Sequence, residues 1–133
     1  MPPRSRGRPR PPGRGRLGAV SDEFMKEMLM KTRPYTIVIL HKTPKRDEPG
    51  ADAIVWEHGR RNFGLRRDKK LLIVCQVNDS TDMRGLCIFA TKPDETRKMM
   101  DEDPAIRAGI FTYEMHVTES FPGDSLAAIP HSP

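Results

Sequence analysis

The sequence holds no apolar run longer than about five residues, against the roughly 20 that a helix needs to cross a bilayer, so a membrane-spanning helix is excluded. Cysteine is scarce. Cys75 and Cys87 are the only two, too few for a disulfide framework. Acidic residues are absent from the first 18 positions, which carry six arginines, five prolines and four glycines. Removing those six arginines from the 23 basic residues leaves 17 against 18 acidic ones. The formal charge of +5 thus comes from the N-terminal stretch, and the remainder is balanced. A balanced domain lacks the basic face of a nucleic-acid-binding module. No apolar segment follows the basic start, so it is not a secretory signal. It shares an Arg-rich, acid-free composition with transit peptides, but its prolines and glycines prevent the amphipathic helix those need. The expectation is a cytoplasmic protein with reduced thiols.

Residues 1–18 read MPPRSRGRPRPPGRGRLG, with Met1 and Leu17 as the only aliphatic side chains. Such a stretch buries too little surface to offset its ordering entropy and should be disordered. Within it, Arg6-Gly7-Arg8-Pro9 matches the core of the AT-hook, which lays arginines in the narrow minor groove of A·T tracts. The competing explanation is compositional, since a GC-rich coding sequence yields Arg, Pro and Gly. A true start near Val20 to Met25 would remove the stretch altogether.

Beyond it, Ser21 is placed to cap a helix whose first turn carries Asp22 and Glu23. Phe24, Met25, Met28 and Leu29 form its apolar stripe, and Pro34 ends it. The pattern then predicts a strand over 35–40 and a polar loop over 41–50. A helix over 51–67, a strand over 71–77, a turn over 78–83 and a strand over 85–90 follow. A second helix spans about 93–102, a helical turn 103–109 and a last strand 110–117. The order is β-α-β-β-α-β with one helix in front, the ferredoxin-like α+β arrangement of a four-stranded antiparallel sheet with two helices on one face.

YTIVIL, LLIVCQV and GLCIFA do not alternate between apolar and polar residues. A sheet covered on one side only should alternate. The second face therefore needs a partner. The simplest is the same face of a second subunit, giving a homodimeric α+β barrel. The alternative is a monomer whose N-terminal helix covers the face.

At about 100° per residue, His58 falls within the stripe formed by Ala51, Ile54, Val55, Asn62 and Leu65. Glu57, Arg60 and Arg61 fall outside it. His58 is thus oriented toward the sheet, either as a satisfied core histidine or as a functional one. Asp103 precedes Pro104 and suits a helix N-cap. It also lies on the face that carries Met99 and Met100. Cys75 and Cys87 are equidistant from position 81 and are expected to be buried and to face each other across a hairpin. His41 and His116 have no partner at metal-ligand spacing, so no metal is expected. His116 reads as a polar-face residue, with Thr112 and Glu114 beside it.

Residues 35–125 resemble the YciI-like (YCII-related) proteins. The resemblance is carried by YTIVIL, by Trp56-Glu57-His58-Gly59-Arg60-Arg61-Asn62, by Arg84-Gly85-Leu86 and above all by Asp101-Glu102-Asp103-Pro104-Ala105-Ile106-Arg107-Ala108-Gly109. That last stretch matches the family's Asp-Pro-x-x-x-Ala-Gly pattern. The resemblance implies the dimeric α+β barrel and a His–Asp active-site pair, here His58 and Asp103. It implies small-molecule chemistry of the kind some members perform, dehydrochlorination of chlorinated hydroxyquinone-type aromatics, with lactone isomerisation in related barrels. A carboxylate bonded to one imidazole nitrogen fixes the tautomer and leaves the other nitrogen as a base. That chemistry calls for no cofactor, and no G-x-S-x-G elbow supplies a nucleophile.

The expected organisation is a disordered basic tail over 1–20, an N-terminal helix over 21–33, a YCII-related domain over 34–125 and a C-terminal tail over 126–133. The expected function is a small cofactor-independent lyase or isomerase acting on a cyclic or aromatic substrate. The alternatives are a non-catalytic ligand-binding or accessory protein on the same fold, and a dimer that meets DNA only through the tail.

Overall fold

The computed structural model describes residues 18–130. The expected disordered tail, with its Arg6-Gly7-Arg8-Pro9 motif, lies outside the described residues except for positions 18–20. The described chain divides into two compact units. One takes the residues up to Thr32 and those from Phe121, and the other runs Arg33–Ser120.

The first unit holds helix α1, Asp22–Leu29. The Ser21 hydroxyl caps it by accepting from the Phe24 N–H at 3.1 Å. Asp22 and Glu23 sit in its first turn, where the helix dipole favours negative charge.

The second unit carries β1 (Arg33–Lys42), a 3-10 turn (Pro44–Asp47), α2 (Ala51–Arg67), β2 (Leu71–Gln76), β3 (Met83–Phe89), α3 (Pro93–Asp101), α4 (Pro104–Arg107) and β4 (Phe111–Ser120). The strands form one antiparallel sheet in the order β2-β3-β1-β4. This is the ferredoxin-like topology, in which the two β-α-β units interleave and the first strand sits inside. The 3-10 turn falls where a plain loop was expected. Pro44 starts it, and the Thr43 hydroxyl accepts from the Lys45 N–H at 3.2 Å.

Thr36, Val38 and Leu40 of β1 and Cys87 and Phe89 of β3 point to one side and are buried there. They pack with Leu71, Ala51, Met99, Met100, Ala105, Ile110 and Phe111 into the core. Ile54, Val55 and Leu65 of α2 complete it. Ile37, Ile39, Leu86 and Ile88 alternate with these residues, lie on the opposite face and are only partly buried. The strands thus carry apolar residues on both sides, as their composition requires. On β4 the second face is polar, because Ile37 pairs with His116, Ile39 with Glu114 and His41 with Thr112.

One expectation fails. Cys75 is exposed while Cys87 is buried. Cys75 pairs with Leu86, and Cys87 pairs with Val74. The hairpin is centred between positions 80 and 81 rather than on 81. A one-residue change of register sends a side chain to the opposite face.

Candidate active site

His58 reaches the core from α2, midway along that helix, and Asp103 closes on it from the junction of α3 and α4. Pro104 excludes α-helical backbone at the residue before it, so α3 stops and Asp103 becomes the extended N-cap of α4. Asp103 Oδ1 accepts the Ala105 N–H at 2.8 Å. Asp103 Oδ2 lies 2.8 Å from His58 Nδ1. One carboxylate therefore does both jobs that the sequence offered as alternatives, capping α4 with one oxygen and holding the imidazole with the other. Its side chain is 1% exposed.

Burial alone would push the Asp103 carboxyl up. The hydrogen bond and charge of His58, with the backbone N–H groups of Ala105 and Ile106, outweigh burial and hold it below the ordinary carboxylate range. An ionised carboxylate can only accept, so the proton between the two groups belongs to His58 Nδ1. In the neutral ring, Nε2 then carries a free electron pair. Asn62, one helical turn further along α2, brings its Nδ2 to 3.3 Å from Nε2 and donates to that pair. Phe111, at the start of β4, packs its ring edge-on to the imidazole at 5.4 Å between centroids and 64° between planes.

Arg61 also enters the site. Its Nη1 lies 3.9 Å from Asp103 Oδ2, and its Nη2 lies 3.6 Å from Glu102 Oε1. Among the described residues, Nη1 is a buried side-chain nitrogen that makes no hydrogen bond. Helical position put Arg61 outside the apolar stripe. Yet it stands seven residues after Ile54, only about 20° from it, so its stem starts at the edge of the stripe and reaches the site directly. The Asn62 contact was legible in principle, since residues four apart on a helix are neighbours.

Cys87 lies near the pair but is no nucleophile. Burial, reinforced by the charges of Cys75 and Asp103, pushes its thiol up to about 12. His41 and His116 sit elsewhere, on the second face of the sheet. His41 Nδ1 lies 3.0 Å from Asp82 Oδ1, and His116 Nε2 lies 3.3 Å from Glu114 Oε1. Among the described residues no group of three or more His, Cys, Asp or Glu is placed to hold a metal ion. No helix among them is long and apolar enough to cross a membrane.

No family model and no curated protein matches the chain. Solved structures do. One is the 5-chloro-2-hydroxyhydroquinone dehydrochlorinase of Burkholderia phenoliruptrix in complex with 2,5-dihydroxybenzoquinone. It is 18% identical over 62% of this chain and 90% of that one, with a TM-score of 0.39. Another is the C-terminal domain of the MgtC protein of Mycobacterium tuberculosis. It is 14% identical over 79% of this chain and all of that one, with a TM-score of 0.36. Likenesses at this level transfer no activity, and the functional reading rests on the site itself.

Proposed function

We propose that this protein is a small cofactor-independent enzyme of the lyase or isomerase type, in which His58 is the catalytic base and Asp103 its positioning residue. The observation that carries the reading is the 2.8 Å bond between His58 Nδ1 and the buried, ionised Asp103. That bond leaves Nε2 as the basic nitrogen. Nε2 removes a proton from a carbon next to a carbonyl, and the C–H electron pair passes into the carbonyl as an enolate. In a dehydrochlorination the enolate expels chloride with its bonding pair, and the net loss is HCl. In an isomerisation the imidazolium returns the proton at another carbon. Asp103 takes no proton in either course. It fixes the tautomer and stabilises the imidazolium. The YciI-like motif around Asp103-Pro104 supports a small cyclic or aromatic substrate. The working unit is a homodimer whose second sheet faces meet, covering Ile37, Ile39, Leu86 and Ile88. Two free thiols fit a cytoplasmic location.

A second reading has an observation of its own. Both imidazole nitrogens of His58 have partners, Asp103 and Asn62, as in a histidine that serves the core or a non-catalytic ligand site. Incubation in D2O separates the two. Chlorinated hydroxyquinone-type aromatics and enolisable lactones are followed by NMR for chloride loss or for deuterium entering beside the carbonyl. The enzymatic reading expects turnover that His58→Ala abolishes in folded protein. Exchange at the same rate in His58→Ala would overturn it.

A further inference from the structure

The guanidinium of Arg61 reaches the His58–Asp103 pair without being needed to satisfy it. Each oxygen of Asp103 already has a donor, the Ala105 N–H on Oδ1 and His58 Nδ1 on Oδ2, both at 2.8 Å. Arg61 Nη1 stands 3.9 Å from Oδ2, and its Nη2 stands 3.6 Å from Glu102 Oε1. Both are ion-pair distances beyond hydrogen-bond reach. Nη1 is shut from solvent and has no acceptor among the described residues. A buried donor without a partner is costly, and folded proteins keep few of them. Side-chain exposure rises from 1% at Asp103 to 24% at Arg61 and 59% at Glu102, so the guanidinium stands between the buried pair and solvent. Turning it outward on its stem gives up two ion pairs and no hydrogen bond. It is a movable cation with a donor to spare.

We propose that Arg61 is the carbonyl-binding residue of this site, its Nη1 donating to the oxygen of a neutral, enolisable ketone or lactone. The catalytic part of this role rests on His58 as the base. When Nε2 takes the proton, the C–H bond breaks and its electron pair moves into the carbonyl. The oxygen that Arg61 already holds then becomes the enolate oxygen. A charged donor in place before the charge develops binds more tightly as the reaction proceeds, and that difference lowers the barrier. Asp103 Oδ2 is the common neighbour of base and donor, which keeps the two within the span of a small cyclic molecule. The surrounding charge selects the class. Asp103 and Glu102 already face this one guanidinium, so a substrate carboxylate would set a third negative charge against it. A neutral carbonyl adds none, and the charge of the enolate arises together with that of the imidazolium.

1-Tetralone labelled with 13C at its carbonyl is a neutral, cyclic, enolisable probe with two independent readouts on the full chain. Its carbonyl stretch, in isotope-edited infrared difference spectra, reports the donor. Deuterium entering beside the carbonyl in D2O, followed by NMR, reports the base. The wild type should show a bound carbonyl band below the frequency of the ketone in water. Arg61→Gln should lose that band, bind the probe about tenfold more weakly and exchange it about 10²-fold more slowly. Arg61→Lys should recover part of each. Arg60→Gln removes the same charge one residue away, from an exposed side chain paired with Glu57, and should match the wild type. Circular dichroism and melting temperature are taken for every variant, and a merely structural arginine would change the melt while leaving the carbonyl band in place. Absence of the shifted band in the wild type, or its survival in Arg61→Gln, would overturn the proposal. Exchange that His58→Ala abolishes and Arg61→Gln leaves untouched would also overturn it, while the base reading stands. An Arg61-dependent band with no exchange would keep the carbonyl site and remove the base. Benzoate bound about tenfold more tightly by the wild type than by Arg61→Gln would assign the cation to carboxylates and overturn the neutral class.

Discussion

Removing the Asp103 carboxylate in two different ways should separate its two bonds. Asp103→Ala deletes both acceptors. It strands the Ala105 N–H that Oδ1 received at 2.8 Å and the His58 Nδ1–H that Oδ2 received at 2.8 Å. Loss of a helix cap costs about 1 kcal/mol. A buried donor left without an acceptor costs about 1–3 kcal/mol. Together they amount to roughly 3 kcal/mol. Asp103→Asn keeps an oxygen for Ala105 and turns its amide toward His58 Nδ1, which can then accept instead of donate. It forfeits the charge-assisted part of that bond, and Asn62 must turn its amide oxygen to the newly protonated Nε2, at a cost of about 1–2 kcal/mol. The assay is urea unfolding of the wild type and both variants at neutral pH, with His58→Ala added to close a double-mutant cycle on Asp103→Asn. His58→Ala alone should cost about 3 kcal/mol, because it leaves a buried carboxylate whose remaining cationic neighbour is Arg61, 3.9 Å away and not hydrogen-bonded. The cycle should return a coupling of at least about 1 kcal/mol. If Asp103→Asn is as damaging as Asp103→Ala, or the cycle is additive, the shared-carboxylate argument is wrong.

Other outcomes follow from the same geometry. Because folding holds Asp103 below the ordinary aspartate value of about 4, its contribution to stability is fully present above that value and lost as pH falls through the folded value. The acid limb of a stability–pH curve should therefore flatten in Asp103→Asn, and an unchanged limb would exclude this residue as its source. Native protein at pH 8 should titrate one thiol per chain with a disulfide reagent. Cys75 is exposed, whereas Cys87 is buried and pushed up to about 12. Two rapidly reacting thiols would contradict that. Gly109 holds φ at 75°, and a Cβ there would sit 3.4 Å from the movable end of Lys45. Gly109→Ala should cost about 1 kcal/mol through backbone strain rather than a clash, and a neutral melt would refute it. Ile37→Asp should halve the mass of the sheet-face dimer in light scattering, and an unchanged mass would remove that face from the assembly.

Much of this was legible in the residues. YTIVIL, the stripe through Ala51, Ile54, His58 and Leu65, and Pro93 at the head of α3 fix the elements, because periodicity and proline act locally. His58 was placed toward the core by spacing alone, and Asp103 was placed as a cap by Pro104. That the cap would also hold His58 was not legible from spacing. It depends on two oxygens 45 residues from the imidazole along the chain being aimed by tertiary packing. Arg61 was misread because the stripe's edge was drawn at Ile54, and a residue seven places further on lies only about 20° beyond it. The cysteines were misplaced because a hairpin's register depends on its turn, and half a residue of error reverses a face.

In the proposed mechanism His58 carries its proton on Nδ1 and offers Nε2 as the base. Long-range 1H–15N correlation spectra of the imidazoles, assigned through the His58→Ala variant, read this directly. At a pH where the ring is neutral, the wild type should show a protonated Nδ1 and an unprotonated Nε2, with the two exchanged in Asp103→Asn. A wild-type ring protonated at Nε2, or one whose tautomer is indifferent to Asp103→Asn, would contradict it.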